Sequence, residues 1–122
     1  MCSDDLNISE FKGKVFKSID KKEEGGEDSI IFTTDKGEVY KMSHEQDCCE
    51  SVYIESINGD LKDLIDSPIL LAEEVTETGD DGWYTYTWTF YKIGTIKGTV
   101  TIRWNGESNG FYSEEVSIVE ET

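Results

Sequence analysis

One histidine, one proline and three cysteines in 122 residues leave little material for the common machinery of catalysis or metal binding. A lone histidine supplies no histidine-rich metal set. The chain has no C-x-x-C, H-x₃-H, Walker loop, G-x-S-x-G or H-E-x-x-H. An odd cysteine count without spaced pairs points to thiols in a reducing compartment rather than a disulfide framework. No apolar run approaches the roughly 20 residues of a membrane helix. The opening MCSDDLNISEF has neither the basic nor the apolar region of a secretory signal. These absences favour a cytoplasmic, non-enzymatic protein. Cations are also scarce: 11 Lys+Arg stand against 27 Asp+Glu, a formal net charge of −16, and Arg103 is the only arginine. Hydrophobic residues nevertheless make up 36% and aromatics 11% of the chain, enough for one domain with one modest core and too much for a disordered chain.

The charge is unevenly spread. From Met42 to Tyr91 there are 12 carboxylates and one basic residue, Lys62; from Trp104 onward there are five carboxylates and none. Such a surface repels nucleic acid and anionic membranes and attracts basic protein surfaces or cations. Solubility alone is the plain alternative.

Short alternating segments separated by turn residues dominate the pattern. KVFKSID (14–20) sets Val15 and Ile19 on one face and Phe16 on the other. EEGGED (23–28) is a turn. SIIFTTD (29–35) and EVYKMS (38–43) flank a DKG hairpin connection. SVYIESI (51–57) is a strand, and Leu61, Leu64 and Ile65 fall at helical spacing within NGDLKDLID (58–66). SPILLAEEVTET (67–78) resumes as a strand with Pro68 at its start or on an edge. WYTYTWTFYKI (83–93) alternates Tyr84, Tyr86, Trp88 and Phe90 with threonines. GTIKGTVTIRW (94–104) places Val100, Ile102 and Trp104 together. NGESNG (105–110), with two Asn-Gly pairs, reads as a hairpin turn before a last strand, FYSEEVSIVE (111–120). The expected fold is mainly β. It is a single domain of about eight short, mostly antiparallel strands in a sandwich or barrel-like sheet, with one or two helical turns. Residues 1–12 read as an acidic, flexible N-terminus and 13–122 as the β-rich domain.

The stretch SHEQDCCESV (43–52) concentrates reactive atoms. Ser43 and Gln46 fit a capping box opening a helical turn. On that turn His44 and Cys48 share a face, while Cys49 projects about 100° away. A structural zinc site wants four ligands, and beyond His44, Cys48 and Cys49 the only other cysteine is Cys2, in the N-terminal segment. Activation of a thiol by His44 is opposed by Glu45, Asp47 and Glu50. The plain reading is a capped turn with a small buried cysteine. The aromatic strand suits core packing or a partner surface better than base stacking, because a stacking platform needs a cationic groove beside it.

Two long motifs, HEQDCCESVYIESINGDLKDLIDSPILLAEE (44–74) and TWTFYKIGTIKGTVTIRWNGESNGFYSEEV (87–116), resemble a family of small phage and prophage proteins of unknown function. The resemblance covers about residues 13–119. It implies expression from a mobile element in a bacterial cytoplasm and implies no activity. The acidic first twelve residues and the DDGWYTY loop depart from the family's usual pattern, and either suits a partner specific to this protein. With the acidic surface, this favours an inhibitor of a host defence or nucleic-acid-processing protein, of anti-CRISPR or anti-restriction type. It would present carboxylates to a basic groove. Candidate contacts are Asp60, Asp63 and Asp66, Glu73 and Glu74, and Asp80 and Asp81. A second possibility is a sponge for a nucleotide signal, with a pocket lined by Tyr86, Trp88, Arg103 and Trp104. A third is a zinc module at His44, Cys48 and Cys49.

Overall fold

A computed structural model describes residues 6–25, 27–44, 50–109 and 114–121. Eight strands form two antiparallel sheets, so the mainly β expectation holds. The first sheet has the order β1-β2-β3-β8, with β1 at Phe16–Glu24, β2 at Glu27–Thr34, β3 at Val39–Ser43 and β8 at Ser117–Glu120. The second has the order β4-β7-β6-β5, with β4 at Ser51–Asn58, β5 at Leu71–Asp80, β6 at Thr85–Thr95 and β7 at Gly98–Ser108. Among the described residues, helical structure is limited to two short 3₁₀ turns, Ile8–Phe11 and Leu61–Leu64. No helix among them is long and apolar enough to cross a membrane.

Period-two alternation builds the core. In the first sheet Ile19, Phe32 and Tyr40 lie in one cross-strand row, and Ile30, Met42 and Ile118 in the next. In the second sheet Val100 pairs with Ile93, and Ile102 with Tyr91. All are buried and belong to one apolar cluster between the sheets. Sheet-on-sheet packing of this kind excludes water where the two inner faces meet. Asp28 at the start of β2 reaches across and accepts the Ile54 N–H at 2.8 Å.

Three sequence readings need correction. Phe16 and Ile19 both face inward, because the register shifts between Phe16 and Ser18. The extra residue of a bulge, Lys17, resets the parity that simple alternation assumes. The Asn105-Gly106 pair lies inside β7, and the β6–β7 turn falls earlier, at Ile96 and Lys97. Gly106 serves a close approach there, since a Cβ would lie 2.8 Å from the Glu114 Cβ. The N-terminal boundary lies before Gly13. Asn7 caps the first 3₁₀ turn by accepting the Ser9 N–H at 3.0 Å, and Glu10 accepts the Asn7 N–H at 3.2 Å. That capping box directs Ile8 and Phe11 into the core. The Phe11 ring sits 5.0 Å from Phe16, 5.1 Å from Phe32 and 5.3 Å from Tyr40.

The β4–β5 connection ties the sheets together. Asp60 caps the second 3₁₀ turn through the Lys62 N–H at 2.9 Å, and Leu64 is fully buried. The chain then bridges β1 at Phe16–Ile65 and Val15–Pro68, which places Pro68 just ahead of its strand.

Candidate interaction surface

The outer face of the β4-β7-β6-β5 sheet carries the aromatic stripe. Threonines take the inner face of β6, so Tyr86, Trp88 and Phe90 point outward and are half-buried. Tyr86 lies between Gly79 and Glu107, Trp88 between Glu77 and Asn105, and Phe90 between Val75 and Arg103. The Tyr86 and Trp88 rings are stacked, with centroids 6.0 Å apart and planes 14° from parallel. The Arg103 guanidinium lies over Phe90, 5.4 Å from its centroid. Its Nε is 2.6 Å from Glu55 Oε1, but off the N–H direction, so the contact is an ion pair and not an aligned hydrogen bond. Tyr53 on β4 joins this face, and its hydroxyl accepts from Asn105 Nδ2 at 3.0 Å.

The β5–β6 loop completes the surface. Asp81 Oδ1 accepts the N–H groups of Trp83 at 3.0 Å and Tyr84 at 2.9 Å, and Oδ2 accepts the Tyr86 hydroxyl at 3.0 Å. Asp80 Oδ1 accepts the Gly82 N–H at 3.2 Å. These side-chain turns hold the loop while Trp83 stays 84% exposed and Tyr84 54% exposed. The backbone N–H groups of Tyr84 and Trp83 hold the Asp81 carboxyl below its ordinary range. Donation to Asp81 pushes the Tyr86 phenol up. Trp83 is absent from the candidates read in the sequence. The available signal is its position directly after Asp-Asp-Gly, in the loop and outside the alternation that positions Tyr86 and Trp88.

The seven candidate carboxylates do not form one patch. Asp80 ends β5 and Asp81 opens the loop, and both are used as turn acceptors. Glu73 and Glu74 sit near the other end of β5 on opposite faces, about 23 Å from Asp80 at the rise of a strand. Asp60, Asp63 and Asp66 surround the second 3₁₀ turn; Asp63 is half-buried, and its main-chain oxygen accepts the Thr95 hydroxyl. Of the four residues read as a nucleotide pocket, Tyr86, Trp88 and Arg103 share the outer face. Trp104 does not: as the neighbour of Arg103 on a strand it faces inward and is buried.

His44 directly follows β3 and sits in a buried clasp. Its Nδ1 lies 2.7 Å from the Glu115 carbonyl oxygen and its Nε2 2.7 Å from Glu50 Oε2. His44 is 7% exposed and Glu50 4%. A carbonyl only accepts, so Nδ1 carries a hydrogen, and one further proton is shared between Nε2 and the carboxylate. Both ring nitrogens are therefore engaged, and a metal at Nε2 would have to displace Glu50. Cys48 and Cys49, and the turn expected after Ser43, lie outside the described residues. Among the described residues no group of three or more His, Cys, Asp or Glu side chains is placed to hold a metal ion. A second buried carboxylate, Glu114, accepts the Thr85 hydroxyl at 2.6 Å and also that of Ser108.

A family model for a domain of unknown function, DUF7448, matches residues 9–118. The chain belongs to the DUF7448 family. No curated protein and no solved structure matches it. The DUF7448 match begins inside the first 3₁₀ turn and ends in β8. It therefore takes in both sheets, the His44 clasp and the aromatic face, in keeping with the resemblance to an uncharacterised family.

Proposed function

We propose that this DUF7448 protein is a non-enzymatic binding protein of phage or prophage origin. It acts in the bacterial cytoplasm on a basic surface of a host defence or nucleic-acid-processing protein. The observation that carries the reading is the outer face of the second sheet. Exposed Trp83 and Tyr84 on a fixed loop adjoin the Tyr86, Trp88 and Phe90 stripe, and Glu73, Glu77, Asp80, Asp81 and Glu107 border it. Interfaces draw much of their energy from aromatic anchors within a polar rim. The acidic rim selects a basic partner and speeds encounter, and it disfavours direct binding of nucleic acid or anionic membrane. Affinity capture in the host tests this. The expected outcome is recovery of a basic nucleic-acid-binding protein at low salt, with recovery lost for Trp83→Ala. Capture of no such protein at low salt would sink the proposal.

A nucleotide-signal sponge is the second reading, favoured by one feature. The stacked Tyr86–Trp88 pair and Arg103 lie on the same open face, which suits a base and a phosphate. Mass spectrometry of small molecules released from the purified protein, followed by calorimetry with a nucleotide panel, distinguishes the two. Absence of both released nucleotide and binding heat counts against the sponge.

A further inference from the structure

β5 is an open edge of its sheet. Over Leu71–Asp80 it pairs with β6, and among the described residues nothing pairs with its other side. Every second residue of an edge strand turns its N–H and C=O away from its neighbour, ready for another chain. Natural edges are commonly short, bulged or covered. This one runs for ten residues, and residues 73–78 are exposed on both faces. A groove of about 580 Å³ lies beside its first half, between residues 7–9 and residues 72–75. Side chains of consecutive strand residues alternate between faces. Four consecutive residues of one strand therefore line a groove along the backbone edge. On the outer face Glu73 and Glu77 flank Val75, while Glu74 lies on the other face.

We infer that the β5 edge receives an extended, basic segment of a partner protein by strand addition, with Lys or Arg at positions i and i+4 and an apolar residue at i+2 on one face. This rests on the reading that the surrounding sheet is a partner surface, and it specifies how the partner is held. Main-chain hydrogen bonds supply the pairing and alternate side chains the selection. The Glu73–Val75–Glu77 pattern is symmetric, so the match holds for parallel or antiparallel entry. A second copy of this chain is a poor occupant. Antiparallel pairing of two β5 strands about Val75 sets Glu73 against Glu77 twice, and like charges directly opposite each other oppose pairing. The added strand widens the aromatic outer face beside Trp88 and Phe90.

The test uses the full chain labelled with ¹⁵N and the peptide acetyl-Thr-Lys-Thr-Val-Thr-Lys-Thr-amide at low salt. NMR shift changes and slowed amide exchange are expected along residues 72–78. Replacing both peptide lysines with glutamate should weaken binding at least about tenfold. The double variant Glu73→Lys/Glu77→Lys, altered only at exposed positions, should reverse that preference. N-methylation of alternate peptide residues should abolish binding in one phase and preserve it in the other, because only alternate N–H groups face β5. Equal binding in both phases, no response along β5, or shifts confined to residues 83–90 would overturn the inference, as would dimerisation of the chain through β5. Partner capture lost with Trp83→Ala but kept by the Glu73→Lys/Glu77→Lys variant removes the strand-addition inference and leaves the proposed function standing. Capture insensitive to Trp83→Ala removes the aromatic-face reading itself.

Discussion

Trp83 owes its presentation to Asp81. An exposed indole on a mobile loop loses entropy on binding, whereas one on a fixed turn loses less. The ionised Asp81 accepts three hydrogen bonds, so its carboxyl titrates below the usual range. A lowered folded-state value means that the stabilisation is complete above the ordinary Asp range and is lost only as pH falls through the lowered value. The Trp83 and Tyr84 amides should therefore titrate together in NMR, with a midpoint below that of an unstructured Asp. Asp81→Ala should speed their exchange while leaving the rest of the sheet unchanged. A midpoint in the ordinary range would show that these bonds do not hold the loop. At the same scale, His44→Ala leaves Glu50 buried without its ring partner, and breaking a buried pair costs about 3 kcal/mol or more. Urea unfolding of His44→Ala, Glu50→Ala and the double variant should give losses that are far from additive. Additive losses would mean that the two side chains act separately.

At the level of elements, legibility followed local geometry. β6 and the inner row of β7 were readable because nothing interrupts their alternation, and the DKG connection named the β2–β3 hairpin. Alternation alone cannot say which face of β6 is buried. Thr89 and Tyr91 face the core while the richer aromatic row faces outward. Lys17 hid the parity of β1, since a bulge leaves no composition mark. Asn-Gly misled because Gly106 answers to Glu114, eight positions later in the chain, and not to a turn. Gly106→Ala should therefore destabilise the fold by about 1–3 kcal/mol in denaturant melts; a neutral result would mean that the 114–116 segment yields easily. The acidic charge of residues 1–12 masked two apolar residues three apart. Phe11→Ala should cost about 3–5 kcal/mol, and a chain starting at Gly13 should lose cooperative unfolding. A fully stable truncation would place the boundary back at residue 13.

Across the whole molecule the charge is divided between the two sheets. Seven of the 11 cations fall within residues 12–41, which make the β1-β2-β3 side and balance seven carboxylates there, while residues 51–108, the second sheet and its connections, carry 10 carboxylates against four cations. That division gives a partner one attractive side, and it also makes the acidic side repel itself. Salt acts on both effects in opposite directions. Screening relieves self-repulsion within the fold, and it weakens attraction to a basic partner. Raising sodium chloride from low to physiological concentration should therefore raise the melting temperature of the free protein and lower its affinity for the captured partner or the lysine peptide. Differential scanning fluorimetry and calorimetry over one salt series check both. A melting temperature that falls with salt would mean that ion pairs such as Glu55–Arg103 outweigh the repulsion. An affinity indifferent to salt would mean that the apolar stripe alone carries recognition, with the carboxylates serving only to keep β5 edges apart.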